Sequence, residues 1–290
     1  MKKSPILILG CGYIGRQVAR RYLERGDSVL GVVRSTTSAA ALEADHIAAL
    51  PRDLAANDLG DLPFADAKVF HFAPPPGRGV EDLHTRRLVS VFDRVGQPRR
   101  VVYISTTGVY GDCGGAWVDE SWPPQPAADR ARRRWDAEQV LRRWARANSR
   151  ELVILRVAGI YGPGRLPLER IRQQLPLVRE EEAPYSNRIH ADDLVDACIA
   201  AMEGAAATGV YNVCDGHPTT MTDYFQRVAD AAGMPRPPLL SMREADEQLS
   251  AGMMSYMHES RRLSNRRLRE ELGVTLRYPT LAEGLKASLL

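Results

Sequence analysis

A chain of 290 residues with 44% hydrophobic and 26% charged side chains has the make-up of a globular protein able to bury a large core, in one large domain or two. Its net charge of +3, from 39 basic against 36 acidic residues, is nearly balanced, and no apolar run approaches the roughly 20 residues of a membrane span. Cys11, Cys113, Cys198 and Cys214 contain no C-x-x-C pair, which argues against a zinc site and for reduced thiols in a cytoplasm.

Behind Lys2 and Lys3 the first apolar stretch, Ile6–Leu9, is too short for a signal peptide and ends at a glycine. It reads as a strand running into Gly10-Cys11-Gly12-Tyr13-Ile14-Gly15, with a helix expected over 14–25. G-x-G-x-x-G at a strand–helix turn is the pattern of a dinucleotide-binding loop. Gly10 permits the tight turn, Gly12 lets a pyrophosphate approach the backbone, and Gly15 lets the helix lie close to the strand. The phosphates would sit on the unpaired N–H groups and positive dipole end of the helix. A close-packed turn with no ligand is the other use of such glycines, and Cys11 reads as a loop-filling residue.

The second strand, Val29–Val33, ends at Arg34, 19 residues beyond Gly15. An acidic residue there would hold the ribose 2′-hydroxyl of NAD, whereas an arginine suits a 2′-phosphate. NADP is therefore favoured over NAD, with Ser35, Thr36 and Thr37 as further donors. A helix over 39–44 and a short strand over 48–50 lead to Arg52-Asp53-Leu54. A strand over 68–73 is broken by Pro74-Pro75-Pro76-Gly77; a helix over 80–95 and a strand over 100–105 follow. The arginine-rich segment Asp129–Ala147 places Ala137, Leu141 and Trp144 at core-facing helical spacing, and 152–157 reads as the next strand.

This alternation predicts an α/β fold, a doubly wound parallel sheet of the Rossmann type, over residues 1–165. Past Gly164 the order changes: helices over 167–174 and 192–202, a strand Gly209–Val213, then a helix over 221–232 with Thr219 and Thr220 as cap candidates. Residues 166–290 are expected to form mainly a smaller, substrate-binding lobe beside the carboxyl ends of the sheet, with 189–215 returning to the first domain.

The motifs occur in a familiar order. After the glycine loop and Asp53-Leu54 come Tyr103-Ile104-Ser105-Thr106-Thr107-Gly108-Val109-Tyr110-Gly111-Asp112, Asp119-Glu120-Ser121 and Leu155-Arg156-Val157-Ala158-Gly159-Ile160-Tyr161-Gly162-Pro163-Gly164. Arg188-Ile189-His190-Ala191-Asp192-Asp193-Leu194, Val210-Tyr211-Asn212-Val213 and Leu263-Ser264-Asn265-Arg266-Arg267-Leu268 complete the set. Nearly end to end the chain resembles the extended short-chain dehydrogenase/reductases, the NAD-dependent epimerase/dehydratase group, and within it the atypical YeeZ-like branch. The resemblance implies that Asp53 and Leu54 sit at the adenine. Residues and resemblance together put Gly10, Gly12, Tyr13, Ile14, Gly15, Arg34, Asp53, Leu54, Phe72, Ala73 and Arg134 around the cofactor.

Members of that family carry a catalytic Tyr-x-x-x-Lys on the helix after the fifth strand. Counted back from Ala137-Glu138, those positions fall on Arg130 and Arg134. An arginine keeps its proton at every useful pH, so Arg130 does no acid/base work, while Arg134 retains donors for ribose hydroxyls. The family's Ser/Thr position is kept as Thr106, flanked by Ser105 and Thr107. Tyr110 and Tyr161, with Tyr185, are candidates for a displaced acid, and Arg165, Tyr185 and Arg188 are candidate substrate contacts. His71 and His190 read as structural, Asp192 as a helix cap, and no metal site is expected.

The residues fit two readings of function. The first is an NAD(P)-binding oxidoreductase or epimerase-like protein acting on a small, sugar-like substrate without the usual tyrosine and lysine. The alternative is a non-catalytic NADP(H)-binding sensor or regulatory protein. A nucleic-acid surface on the arginine runs at 130–150 and 261–269 ranks last, because no aromatic interleaving or nucleic-acid motif accompanies them. The resemblance also implies a homodimer through the helices before and after the fifth strand, against which the crowded arginines would set like charges together.

Overall fold

Seven parallel strands form the centre of the protein, in the order β7-β6-β5-β4-β1-β2-β3: β1 (Ile6–Leu9), β2 (Val29–Val33), β3 (Ala48–Pro51), β4 (Lys68–His71), β5 (Arg100–Thr106), β6 (Glu151–Val157) and β7 (Gly209–Val213). The computed structural model describes residues 4–56, 58–204 and 208–289, so Lys2 and Lys3 lie outside the described residues.

Strands covered on both faces are apolar throughout. In β1, Ile6 and Ile8 face one core with Val18, Tyr22 and Leu194, while Leu7 and Leu9 face the other with Leu88, Phe92 and Leu141. The covering helices are α1 (Tyr13–Glu24), α2 (Thr36–Glu43), α3 (Leu83–Val95), α4 (Asp129–Ala147) and, after the short α5 (Leu168–Arg172), α6 (Ala191–Glu203). Arg100 ties α6 down: its Nη1 donates to the carbonyls of Ala201, Met202 and Gly204 at the helix end, and its Nε pairs with Glu151 at 2.6 Å.

Helix starts differ from the pattern-based expectation where a capping side chain intervenes. Ser35 Oγ accepts the Ser38 N–H, so α2 begins at Thr36 and the Ser35 hydroxyl is engaged in the cap. Asp82 accepts the Thr85 N–H at 3.1 Å, which delays α3 to Leu83. The fourth strand stops at His71, although the Phe72 N–H still donates to the Leu9 carbonyl.

The remaining chain builds a second layer over the carboxyl edge. It comprises α7 (Met221–Ala231, capped by Thr220), α8 (Met242–Gln248), α9 (Ala251–Met257) and α11 (Leu281–Ser288), whereas α10 (Arg266–Glu270) packs on β7 and places Leu268 in the central core. Tyr161, Ile171, Tyr224, Phe225 and Leu285 form one core there, and Val178, Ala245, Met254 and Met257 another. Strand order reverses between β1 and β4, so the loop after β1 opens at the topological switch point where such sheets bind ligands.

Candidate functional site

At that switch point Gly10 has a φ of +81°, and a Cβ on it would lie 2.5 Å from the backbone of Ala73, so only glycine fits. Gly12 faces solvent, with nothing nearer to a Cβ than the Gly10 carbonyl at 4.0 Å. No side chain caps α1 and no acidic residue occupies its first turn. The helix therefore presents bare N–H groups and its positive dipole end beside an open backbone, a cradle suited to a pyrophosphate. Cys11 is buried under the loop and burial pushes its thiol up to about 12, which fits a filler and not a nucleophile.

Ile14 is buried, so only its backbone reaches the loop, while Tyr13 turns away to donate from Oη to the Pro163 carbonyl at 2.9 Å. Arg34 stands exposed at the end of β2, without a carboxylate partner among the described residues. Asp53 accepts the Ala55 N–H at 2.9 Å, and Leu54 is buried against the sheet. Phe72 packs on Phe70 with ring centroids 5.3 Å apart, and Ala73 abuts Gly10.

Beside the cradle lies a cavity of about 560 Å³. Thr106, Thr107 and Gly108 from the end of β5 line it together with Arg130 and Arg134 of α4. Arg165, Tyr185, Ser186, Asn187, Arg188, Tyr224, Tyr256 and Arg261 also line it, with Glu259 as the one carboxylate among the described residues. Thr106 Oγ1 accepts the Gly108 N–H at 3.2 Å and so caps the turn that follows β5. Arg134 donates to the Ile104 carbonyl at 2.9 Å and to the Tyr103 hydroxyl at 3.3 Å. Arg130 lies flat on the Tyr256 ring, 3.8 Å from its centroid, and donates to Ser255 Oγ at 2.7 Å. Arg188 stacks on Tyr224 at 4.3 Å and Arg165 on Tyr13 at 4.6 Å.

Two of the candidate acids are not in this wall. Tyr110 is fully buried, donates to Asn212 Oδ1 at 2.7 Å, and burial pushes its hydroxyl up to about 12. Tyr161 is buried against Tyr224 and His190, and burial likewise pushes its hydroxyl up. Both point into packed protein, which corrects their assignment as catalytic candidates; Tyr185 remains at the wall, 41% exposed. Ser105 is also withdrawn, donating to the buried Glu138 at 2.6 Å.

His71 pairs with Thr85 Oγ1 at 2.8 Å, and burial lowers it to about 4. His190 accepts the Asp192 N–H as the cap of α6, and Asp193 accepts the N–H groups of Arg277 and Tyr278. Among the described residues no group of His, Cys, Asp and Glu is placed to hold a metal ion, and no helix is long and apolar enough to cross a membrane.

The sequence reading missed Tyr224, Tyr256, Glu259 and Arg261. They come from α7, from α9 and from the turn after it, segments without a motif, and only their arrival at one cavity marks them.

The family model of the NAD dependent epimerase/dehydratase family matches residues 6–214. Protein YeeZ of Escherichia coli K12 is 25% identical, over 96% of this chain and 97% of its own. A solved structure of a protein of unknown function from Silicibacter pomeroyi superposes with a TM-score of 0.86 at 32% identity, covering 99% of this chain and 98% of that one. The UDP-glucuronic acid 4-epimerase of Bacillus cereus in complex with NAD shares the fold, with a TM-score of 0.78 at 20% identity over 98% of this chain and 97% of that one.

Proposed function

For a chain that belongs to the NAD-dependent epimerase/dehydratase family, we propose an oxidoreductase or epimerase-type reaction on a small, sugar-like molecule held in the cavity, with NADP preferred over NAD. One observation carries this reading: the uncapped start of α1 and the cavity open at the same sheet edge and are joined there by Arg165 stacked on Tyr13. A dinucleotide on the glycine loop would reach from one into the other. The sugar-like substrate is suggested by the Bacillus cereus neighbour, whose name states a UDP-glucuronic acid substrate.

In this reading the first N–H groups of α1 hold the pyrophosphate, Arg34 faces the 2′-phosphate, and the free edge of Arg134 meets a ribose hydroxyl. The nicotinamide, when bound, supplies the hydride chemistry. Thr106, Thr107 and Tyr185 orient a substrate oxygen. Arg130 donates hydrogen bonds and charge but no proton. A sensor that binds the dinucleotide without turnover is the second reading. It is favoured by the engagement of Arg130 with Ser255 and Tyr256, which leaves no proton donor at that point of α4.

Calorimetric titration with NADPH, NADP, NADH and NAD tests the cofactor assignment. Tighter binding of the two phosphorylated forms, weakened about tenfold or more by Arg34→Asp, is the expected result. Equal affinity for all four would remove the NADP preference. A panel of sugars, aldehydes and ketones then separates the two readings: hydride transfer supports the enzyme, and binding without any transfer supports the sensor.

A further inference from the structure

Most buried or half-buried arginines of this protein meet a carboxylate: Arg100 meets Glu151, Arg156 meets Glu138, Arg86 meets Asp136 and Arg261 meets Glu259. Among the described residues, four arginines that line the cavity make no such ion pair, Arg261 being the exception there. Arg130, Arg165 and Arg188 each lie on a tyrosine ring instead, and Arg134 is held by a carbonyl and a hydroxyl. A tyrosine face fixes the plane of a guanidinium without neutralising it and leaves its N–H edge available. Glu259, the one lining carboxylate among the described residues, is already committed to Arg261 at 2.9 Å. Five arginines thus line about 560 Å³ against a single lining carboxylate among the described residues, Glu259, which Arg261 occupies, with Asp215 beside Arg188 as a further acid. Burial also lowers Arg188 below its ordinary value, an effect that the nearby Asp215 only partly offsets.

Leaving aside Arg134, held by Ile104 and Tyr103, the unpaired arginines are carried by two different sets of elements. Arg130 projects from α4 and is braced by α9 through Ser255 and Tyr256. Arg188 sits on the short strand Arg188–His190 and is braced by Tyr224 of α7, with Arg165 from the loop before α5. An uncharged sugar would leave both groups unneutralised, and a molecule with one anionic group would satisfy only one.

We propose that the cavity takes a small molecule bearing two anionic groups, carboxylate or phosphate, one bound by Arg130 and the other by Arg188 with Arg165. This rests on reading the cavity as the substrate site. The planar guanidinium fork matches both oxyanion types, so the shared chemistry is a dianion with separated charges.

The test is calorimetric titration of the full-length protein with two probe series. One is succinate, glutarate and adipate against butyrate; the other is methylene-, ethylene- and propylene-bisphosphonate against methylphosphonate. Wild type, Arg130→Gln and Arg188→Gln are compared. At least one dianion should bind, and each variant should weaken it about tenfold or more, as the loss of a charged hydrogen bond implies. The monoanion should respond to only one of the two variants, and the better series identifies the oxyanion. Dianions that bind no better than their monoanions, or that ignore both variants, would overturn the proposal.

Should a glutamine variant fail to fold, Arg→Lys at that position keeps the charge but loses the fork. It should weaken the dianion, and unchanged affinity would count against the proposal. NADPH is titrated on the same samples. A normal dianion pattern without NADPH binding would sink the oxidoreductase reading alone, and the reverse would sink this inference alone.

Discussion

Glu138 and Arg156 form a buried ion pair, Oε2 to Nη2 at 2.9 Å. Neither side chain is more than 2% exposed. Glu138 also accepts from Ser105 at 2.6 Å and from Arg142 at 2.9 Å, so one carboxylate joins α4 to both β5 and β6. Thr106 and Val157, the neighbours of Ser105 and Arg156 in sequence, are thereby held in place in the cavity wall.

Removing Glu138 leaves an uncompensated guanidinium in the core. Glu138→Ala should cost about 3–5 kcal/mol in guanidinium chloride unfolding. Glu138→Gln, which keeps an acceptor, should cost less. A loss under about 1 kcal/mol for the alanine variant would contradict the importance given to this junction.

Gly284 of α11 packs directly on Tyr161, and a Cβ there would collide with the phenol ring and its hydroxyl. That hydroxyl is buried without a partner among the described residues. Gly284→Ala should destabilise by about 1–3 kcal/mol through overpacking. Tyr161→Phe should be neutral or stabilising by up to about 1 kcal/mol, because it deletes an unsatisfied polar atom. The double variant should recover part of the glycine loss, whereas strict additivity in the cycle would show that the two sites do not touch.

Burial raises the Asp215 carboxyl from 3.8 to about 7, partly offset by the His217 N–H and by Arg188. The folded state therefore holds a proton that the unfolded chain releases at lower pH. Its stabilising contribution is complete below about pH 4 and is lost as pH rises through about 7. Asp215→Asn keeps the acceptor for His217 and abolishes the titration. Unfolding free energies at pH 5 and pH 8 should fall less in the variant than in the wild type; equal slopes would remove Asp215 as the source.

The sheet was readable because its strands are short apolar runs punctuated by glycine and proline, and the arginine-rich helix because its core positions keep helical spacing. The glycine loop was readable because Gly10 is demanded by backbone geometry, which sequence records directly, while Gly12 keeps the approach to the helix start open. Tyr110 and Tyr161 misled because a tyrosine near a sheet edge looks the same in sequence whether its hydroxyl faces a cleft or Asn212. The α8 and α11 starts carried capping boxes, Ser241 with Glu244 and Thr280 with Glu283, that a reading of apolar periodicity passes over. The cavity itself was invisible, since the tyrosines that brace its arginines come from α1, α7 and α9, far apart in the chain.

The most direct test of the account is a calorimetric titration of NADPH into wild type and Gly12→Asp. No neighbour crowds Gly12, so the variant should fold and unfold as the wild type does while placing a carboxylate where the pyrophosphate belongs. NADPH should bind the wild type saturably and the variant more than about tenfold more weakly, with the unfolding transition unchanged. Equal NADPH binding by both proteins would contradict it, because the dinucleotide would then bind elsewhere than on the open start of α1.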